Sequence, residues 1–97
     1  MNNQVNIGTV RTFDHVEPNK KHALKPLEEA AEVFAAWQSW NKIKDQPLSI
    51  FYKQNELLDE CADVIQAVCN LVTALGVQDL KPYMQACEER NRERGRL

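Results

Sequence analysis

Two pairs of carboxylates are the residues of this chain whose spacing most suggests chemistry. The first lies in Glu28-Glu29-Ala30-Ala31-Glu32, an EExxE pattern, and the second in Glu60-Cys61-Ala62-Asp63, an ExxD pattern. In a helix, positions three or four apart lie one above the other. Glu29 and Glu32 then share a face, as do Glu60 and Asp63. Each pair borders an apolar stripe, because Val33 follows Glu32 and Val64 follows Asp63. If the two helices pack antiparallel, the pairs meet at the edge of the core, and four converging carboxylates repel unless a cation sits between them. Magnesium suits such a set, since it takes oxygen ligands and keeps positions for water and phosphate oxygens. It would neutralise a triphosphate and lower the pKa of a bound water, which is the chemistry of metal-assisted phosphoanhydride hydrolysis. Acid pairs at i,i+3 are also common on solvated helix faces, and acids favour a helix's first turn. Glu28 reads equally as dipole compensation.

Other side chains suit a phosphate or a base. Asn91 and Arg94 precede Gly95 near the C-terminus, and arginine pairs well with phosphate oxygens. A charge-balanced tail with Glu88, Glu89 and Glu93 is the alternative. Lys25 lies one turn before Glu29, and Lys53 one turn before Glu56; both read as phosphate partners or as solvated lysines. Trp40 lies near the Glu29 and Val33 face and could stack on a base, whereas Trp37 reads as core. His15 and His22 have no partner spacing.

These residues need three helices to position them. The first is expected to begin near Pro26, which suits a first helical turn, and to stop before Pro47. Leu27, Ala30, Phe34 and Trp37 recur on it at three- and four-residue steps. Residues 45–53 read as a connection that folds back over the body. The second helix is expected from about Asn55 to Gly76. Val64, Ile65, Ala67, Val68, Cys69, Leu71, Val72, Ala74 and Leu75 cover most of its circumference, so it must be surrounded. The simplest surrounding is a second copy of the same helix. The third is expected from about Asp79 to Arg92, with Leu80, Tyr83, Met84 and Cys87 inward. Residues 1–24 form an extended arm, within which alternation of Val5, Ile7, Thr9, Arg11 and Phe13 hints at a short strand.

The chain as a whole bounds the reading. Its 97 residues make one domain, small enough to gain from association with copies of itself. Twelve basic residues against 14 acidic ones give a formal net charge of −2, which argues against nucleic-acid or anionic-membrane binding. Cys61, Cys69 and Cys87 have no zinc spacing and read as buried, reduced thiols in a cytoplasmic protein. The polar start Met1-Asn2-Asn3-Gln4 does not read as a signal peptide, and no apolar run is long enough to span a bilayer.

Taken in order, Lys25-Pro26-Leu27-Glu28-Glu29-Ala30-Ala31-Glu32, then Glu60-Cys61-Ala62-Asp63-Val64-Ile65, then Arg90-Asn91-Arg92-Glu93-Arg94-Gly95 resemble the MazG-like branch of the all-α nucleoside triphosphate pyrophosphatases. The resemblance spans residues 25 to 96. It implies an all-α fold: an antiparallel bundle of three main helices per chain, completed as a homodimer or homotetramer. It implies Mg²⁺, with Mn²⁺ as an alternative, held by Glu29, Glu32, Glu60 and Asp63. Glu28 and Glu32 would assist the attack of water on the α-phosphorus, releasing a nucleoside monophosphate and pyrophosphate. Lys25, Trp40, Lys53, Asn91 and Arg94 would approach the nucleotide. Related activities on dUTP or phosphoribosyl-ATP, and a non-enzymatic helical oligomer, remain open. Two features depart from the pattern. The arm has no place in it, and many relatives carry a lysine where this chain has Glu56.

Overall fold

The computed structural model describes residues 3–97, so the Met1-Asn2 start of the arm lies outside the described residues. The described chain is all-helical, with α1 at Lys20–Ile43, α2 at Pro47–Ala74 and α3 at Lys81–Glu93. No helix is long and apolar enough to cross a membrane among the described residues.

Helix α1 begins six residues earlier than its proline suggests. Asn19 caps it, its side chain accepting a hydrogen bond from the His22 backbone N–H at 3.0 Å. Pro26 therefore lies inside the helix, where it cannot donate to the His22 carbonyl one turn back. Residues 20–24, read from sequence as arm, are the first turns of this helix.

The expected connection over residues 45–53 is mostly helical. Pro47 is the first residue of α2, where a missing N–H costs nothing, and no breaker follows it before Gly76. Only Lys44, Asp45 and Gln46 join α1 to α2, with Gln46 N–H bonded to the Ile43 carbonyl at 2.8 Å. So short a link makes the two helices an antiparallel hairpin. Gly76 ends α2 at φ +80, with its N–H on the Thr73 carbonyl and Val77 N–H on the Val72 carbonyl. This is the paired-bond stop that a left-handed glycine allows.

The seam of the hairpin differs from the expected stripe. Glu29, Val33, Ala36 and Trp40, at steps of four, three and four, are the half-buried side of α1. Leu27, Phe34 and Trp37 are on another side and remain exposed, Leu27 at 69% and Phe34 at 59%. Phe34 and Trp37 stack on each other with ring centroids 5.9 Å apart, and both remain exposed. The apolar periodicity identified a face that needs a partner, but not which partner.

Helix α3 packs against neither α1 nor α2. The three-helix bundle expected from sequence is thus a two-helix hairpin plus a projecting helix. Tyr83 and Met84 are exposed, and Leu80 and Cys87 are only half-buried.

Residues 3–19 of the arm form no helix and no strand. The arm straps the C-terminal half of α2 through three bonds. Phe13 N–H donates to Asn70 Oδ1 at 3.1 Å, Gln66 Nε2 donates to the Arg11 carbonyl at 3.1 Å, and Thr73 Oγ1 bonds Thr12 Oγ1 at 2.8 Å. Gln66 Nε2 also bonds Asn70 Oδ1 at 3.0 Å, so one buried asparagine holds both the strap and its own helix. Asn70 and Ala67 are the only buried residues among those described.

Candidate metal centre

The acids arrive on the hairpin as the spacing required. Glu29 comes from the α1 seam, and Glu60 and Asp63 from adjacent turns of α2. One carboxylate oxygen from each of the three lies within 4.8 Å of the others. Glu32, expected as a fourth ligand, is outside this trio. Its charge still reaches Glu60. Burial, followed by the charges of Glu32, Asp63, Glu29 and Asp59, pushes the Glu60 carboxyl above its ordinary 4.5. A carboxylate crowded in this way gains from a cation.

The donor set fits a hard divalent ion. It is all carboxylate oxygen, without thiolate or imidazole, which favours Mg²⁺ or Mn²⁺ over zinc. Oxygens around Mg²⁺, at bonds of about 2.1 Å, stand about 3 to 4 Å apart. The trio's 4.8 Å limit is wider than this, and Asp63, its exposed member, is the one least constrained by burial.

A basic residue already serves part of this cluster. Lys25 Nζ lies 3.5 Å from Glu29 Oε1 and 3.5 Å from Glu28 Oε2. Its pKa is raised by the hydrogen bond to Glu29, then by the charges of Glu28 and Glu29. The sequence showed no basic residue four positions after Glu29; its partner stands four positions before it. Glu28 is exposed and turned to Lys25 rather than into the trio.

The remaining candidates are dispersed. Lys53 is paired with Glu56 at 3.2 Å and sits two turns before Glu60, about 10 Å along the axis. Trp40 shares the Glu29 side of α1 but three turns away, about 16 Å along the axis. It is half-buried in the seam, its indole N–H enclosed without an acceptor. Asn91 is on α3 and Arg94 caps its end, and α3 contacts neither helix that carries the acids.

The local role of the Asn91-Arg92-Glu93-Arg94-Gly95 segment is structural. Gly95, at φ +75, repeats the stop used by α2: its N–H bonds the Arg92 carbonyl and Arg96 N–H bonds the Asn91 carbonyl at 2.9 Å. Asn91 Oδ1 also accepts from Arg96 Nη1 at 3.0 Å. A helix stop alone accounts for the glycine here.

Sequence reasoning missed Asn70, Gln66 and Thr73. The signal was present, since Asn70 interrupts the apolar run Val68-Cys69-Asn70-Leu71-Val72. A polar side chain there must find a buried partner. No known protein family matches the chain, and neither a curated protein nor a solved structure matches it.

Proposed function

We propose that the chain is a magnesium-dependent pyrophosphohydrolase of nucleoside triphosphates, similar to the MazG-like enzymes and active as a homodimer or homotetramer. The observation that carries this reading is the meeting of Glu29, Glu60 and Asp63 from two helices within 4.8 Å. Bound Mg²⁺, or Mn²⁺, would supply charge neutralisation for the phosphates and a more acidic water. Glu29, Glu60 and Asp63 hold the ion in this proposal. Glu32, one turn from Glu29 and close enough to act on Glu60, orients the attacking water, with Glu28 as its neighbour. Lys25 balances Glu29 in this structure and would be free to pair with a phosphate oxygen if an ion took over that carboxylate. Asn91 and Arg94 reach a nucleotide only from another copy or after α3 moves, because α3 packs on neither hairpin helix. Trp40 is better explained by the seam than by a base.

Release of pyrophosphate from a panel of ribo- and deoxynucleoside triphosphates, dUTP and phosphoribosyl-ATP tests the reading. Turnover is expected only with Mg²⁺ or Mn²⁺. Glu60→Gln and Asp63→Asn are expected to lower kcat/KM by about 100-fold or more, the scale of losing preorganised electrostatic stabilisation. Unchanged turnover in both variants sinks the site. The Lys25–Glu29 pair favours one other reading, a helical oligomer whose acids are neutralised by the protein itself. No hydrolysis of any substrate, together with no Mg²⁺-dependent change in melting temperature, is its signature.

A further inference from the structure

The arm brings a cation to the neighbourhood of the acids. The Arg11 carbonyl accepts from Gln66 Nε2 at 3.1 Å, and Gln66 stands one turn past Asp63 on α2, about 5 Å along the axis. Asp63, Gln66, Asn70 and Thr73 follow one another at steps of three, four and three, so the strap is bonded along the side of α2 that carries Asp63. Lys25 stands one turn before Glu29 on α1. Because the two helices are antiparallel, a turn past Asp63 and a turn before Glu29 lead towards the same end of the hairpin. Arg11 and Lys25 therefore lie beyond the trio in one direction, the first on the arm and the second on α1.

The two cations differ in what they already hold. Lys25 is paired with Glu28 and Glu29, Lys53 with Glu56, and Arg92 with Glu88 and Glu89. Arg11 is exposed, and no ion pair engages it among the described residues. Its main chain is nevertheless held, by its own bond to Gln66 and by the bonds of Thr12 and Phe13 to Thr73 and Asn70. An arginine fixed at its backbone and unpaired at its guanidinium gives up less freedom on meeting an anion than one on a loose tail. The site would need such a cation, because one divalent ion does not cancel three carboxylates, and a triphosphate bound to that ion still meets net negative charge.

We propose that Arg11 is a phosphate-binding residue of the triphosphate site and that the strap positions it there. The phosphate chain runs from the ion towards this end of the hairpin, with Arg11 pairing with its oxygens on the α2 side and Lys25 on the α1 side. The proposal rests on the reading of Glu29, Glu60 and Asp63 as a site for magnesium and triphosphate. It gives the arm, which the pyrophosphatase resemblance leaves without a role, a share in holding the substrate. Gln66 is then a positioning residue that acts through Arg11.

Calorimetric titration of the full chain with inorganic tripolyphosphate in the presence of Mg²⁺, a phosphate chain without a base, tests it. Arg11→Gln removes the charge but keeps the main-chain carbonyl that bonds Gln66. It is expected to weaken tripolyphosphate binding about tenfold or more, the scale of losing charge-assisted hydrogen bonds, without weakening the binding of Mg²⁺ alone. Arg11→Lys is expected to recover part of the loss. Lys44→Gln removes the same charge at the hairpin link, the other end from the strap, and is expected to bind as the wild type does. Gln66→Ala frees the strap with Arg11 in place and is expected to weaken binding several-fold, yet to add no further loss to Arg11→Gln, where no guanidinium is left to position. An Arg11→Gln variant that binds as the wild type does overturns the proposal. So do an equal loss in Lys44→Gln and a wild type that binds no tripolyphosphate, and additive losses in the double variant remove the role of the strap. Binding through Arg11 without hydrolysis of any nucleoside triphosphate removes the hydrolase reading and leaves the phosphate site standing.

Discussion

Glu60 is the residue on which charge and folding are most tightly linked. Its carboxyl titrates above the ordinary 4.5 because burial and neighbouring acids disfavour its charge. A group whose folded-state pKa is raised stabilises the fold below its unfolded pKa, and that contribution is lost as pH rises through the folded value. The metal-free protein is therefore expected to lose stability as pH climbs from about 4 towards neutrality. A divalent ion that binds the carboxylates reverses the sign. Melting temperatures with Mg²⁺ and with EDTA should nearly coincide near pH 4 and separate by pH 7; a gap that does not widen counts against an ion at Glu60. Lys25 supplies the complementary case. Removing its ammonium in Lys25→Ala leaves Glu29 without its counter-ion, so Mg²⁺ should bind more tightly by calorimetry. The acid trio was legible in the sequence because i,i+3 spacing fixes which carboxylates share a helix face. The exclusion of Glu32 from the trio was not, because it depends on how the two helices are rotated against each other. The spacing of Lys25 and Glu29 was visible, but not that the lysine pairs with the acid instead of standing free in solvent.

At the scale of elements, two prolines show how one residue type carries opposite meanings. Pro47 opens α2, whereas Pro26 is retained inside α1. Sequence alone does not separate these cases, because the Asn19 cap that extends α1 upstream is seven residues from the proline. Pro26→Ala restores a backbone donor to the His22 carbonyl and is expected to stabilise the protein by about 1 to 3 kcal/mol in urea denaturation. Gly76→Ala acts in the other direction. Its φ of +80 is strained for any residue with a Cβ, and a loss of about 1 kcal/mol is expected in the same measurement. The long second helix was readable from its apolar residues, but its first two turns were hidden behind a proline read as a stop. The alternation of the arm hinted at a short strand, and none forms among the described residues; the arm bonds to side chains of α2 instead.

At the scale of the molecule, the apolar content was legible and its allocation was not. Leu27, Phe34 and Trp37 have the periodicity of a core face yet lie open on one chain, and α3 has no helix to rest on. Such residues state only that their exposure to water is unfavourable, not which surface would cover them. A protein completed by its own copies melts at a temperature that rises with concentration. Calorimetric scans across a hundredfold range of concentration are expected to show that rise, and a constant midpoint would mark a self-sufficient monomer.

An interior of one alanine and one asparagine also has a consequence for the chain in the cell. If the chain associates with its own copies as proposed, a protomer made where few others are present would offer its backbone to proteases and its apolar sides to chaperones. Abundance would then act as a threshold. Below it newly made chains would be cleared, and above it they would protect one another, so the level of expression would set both the amount and the lifetime of the protein.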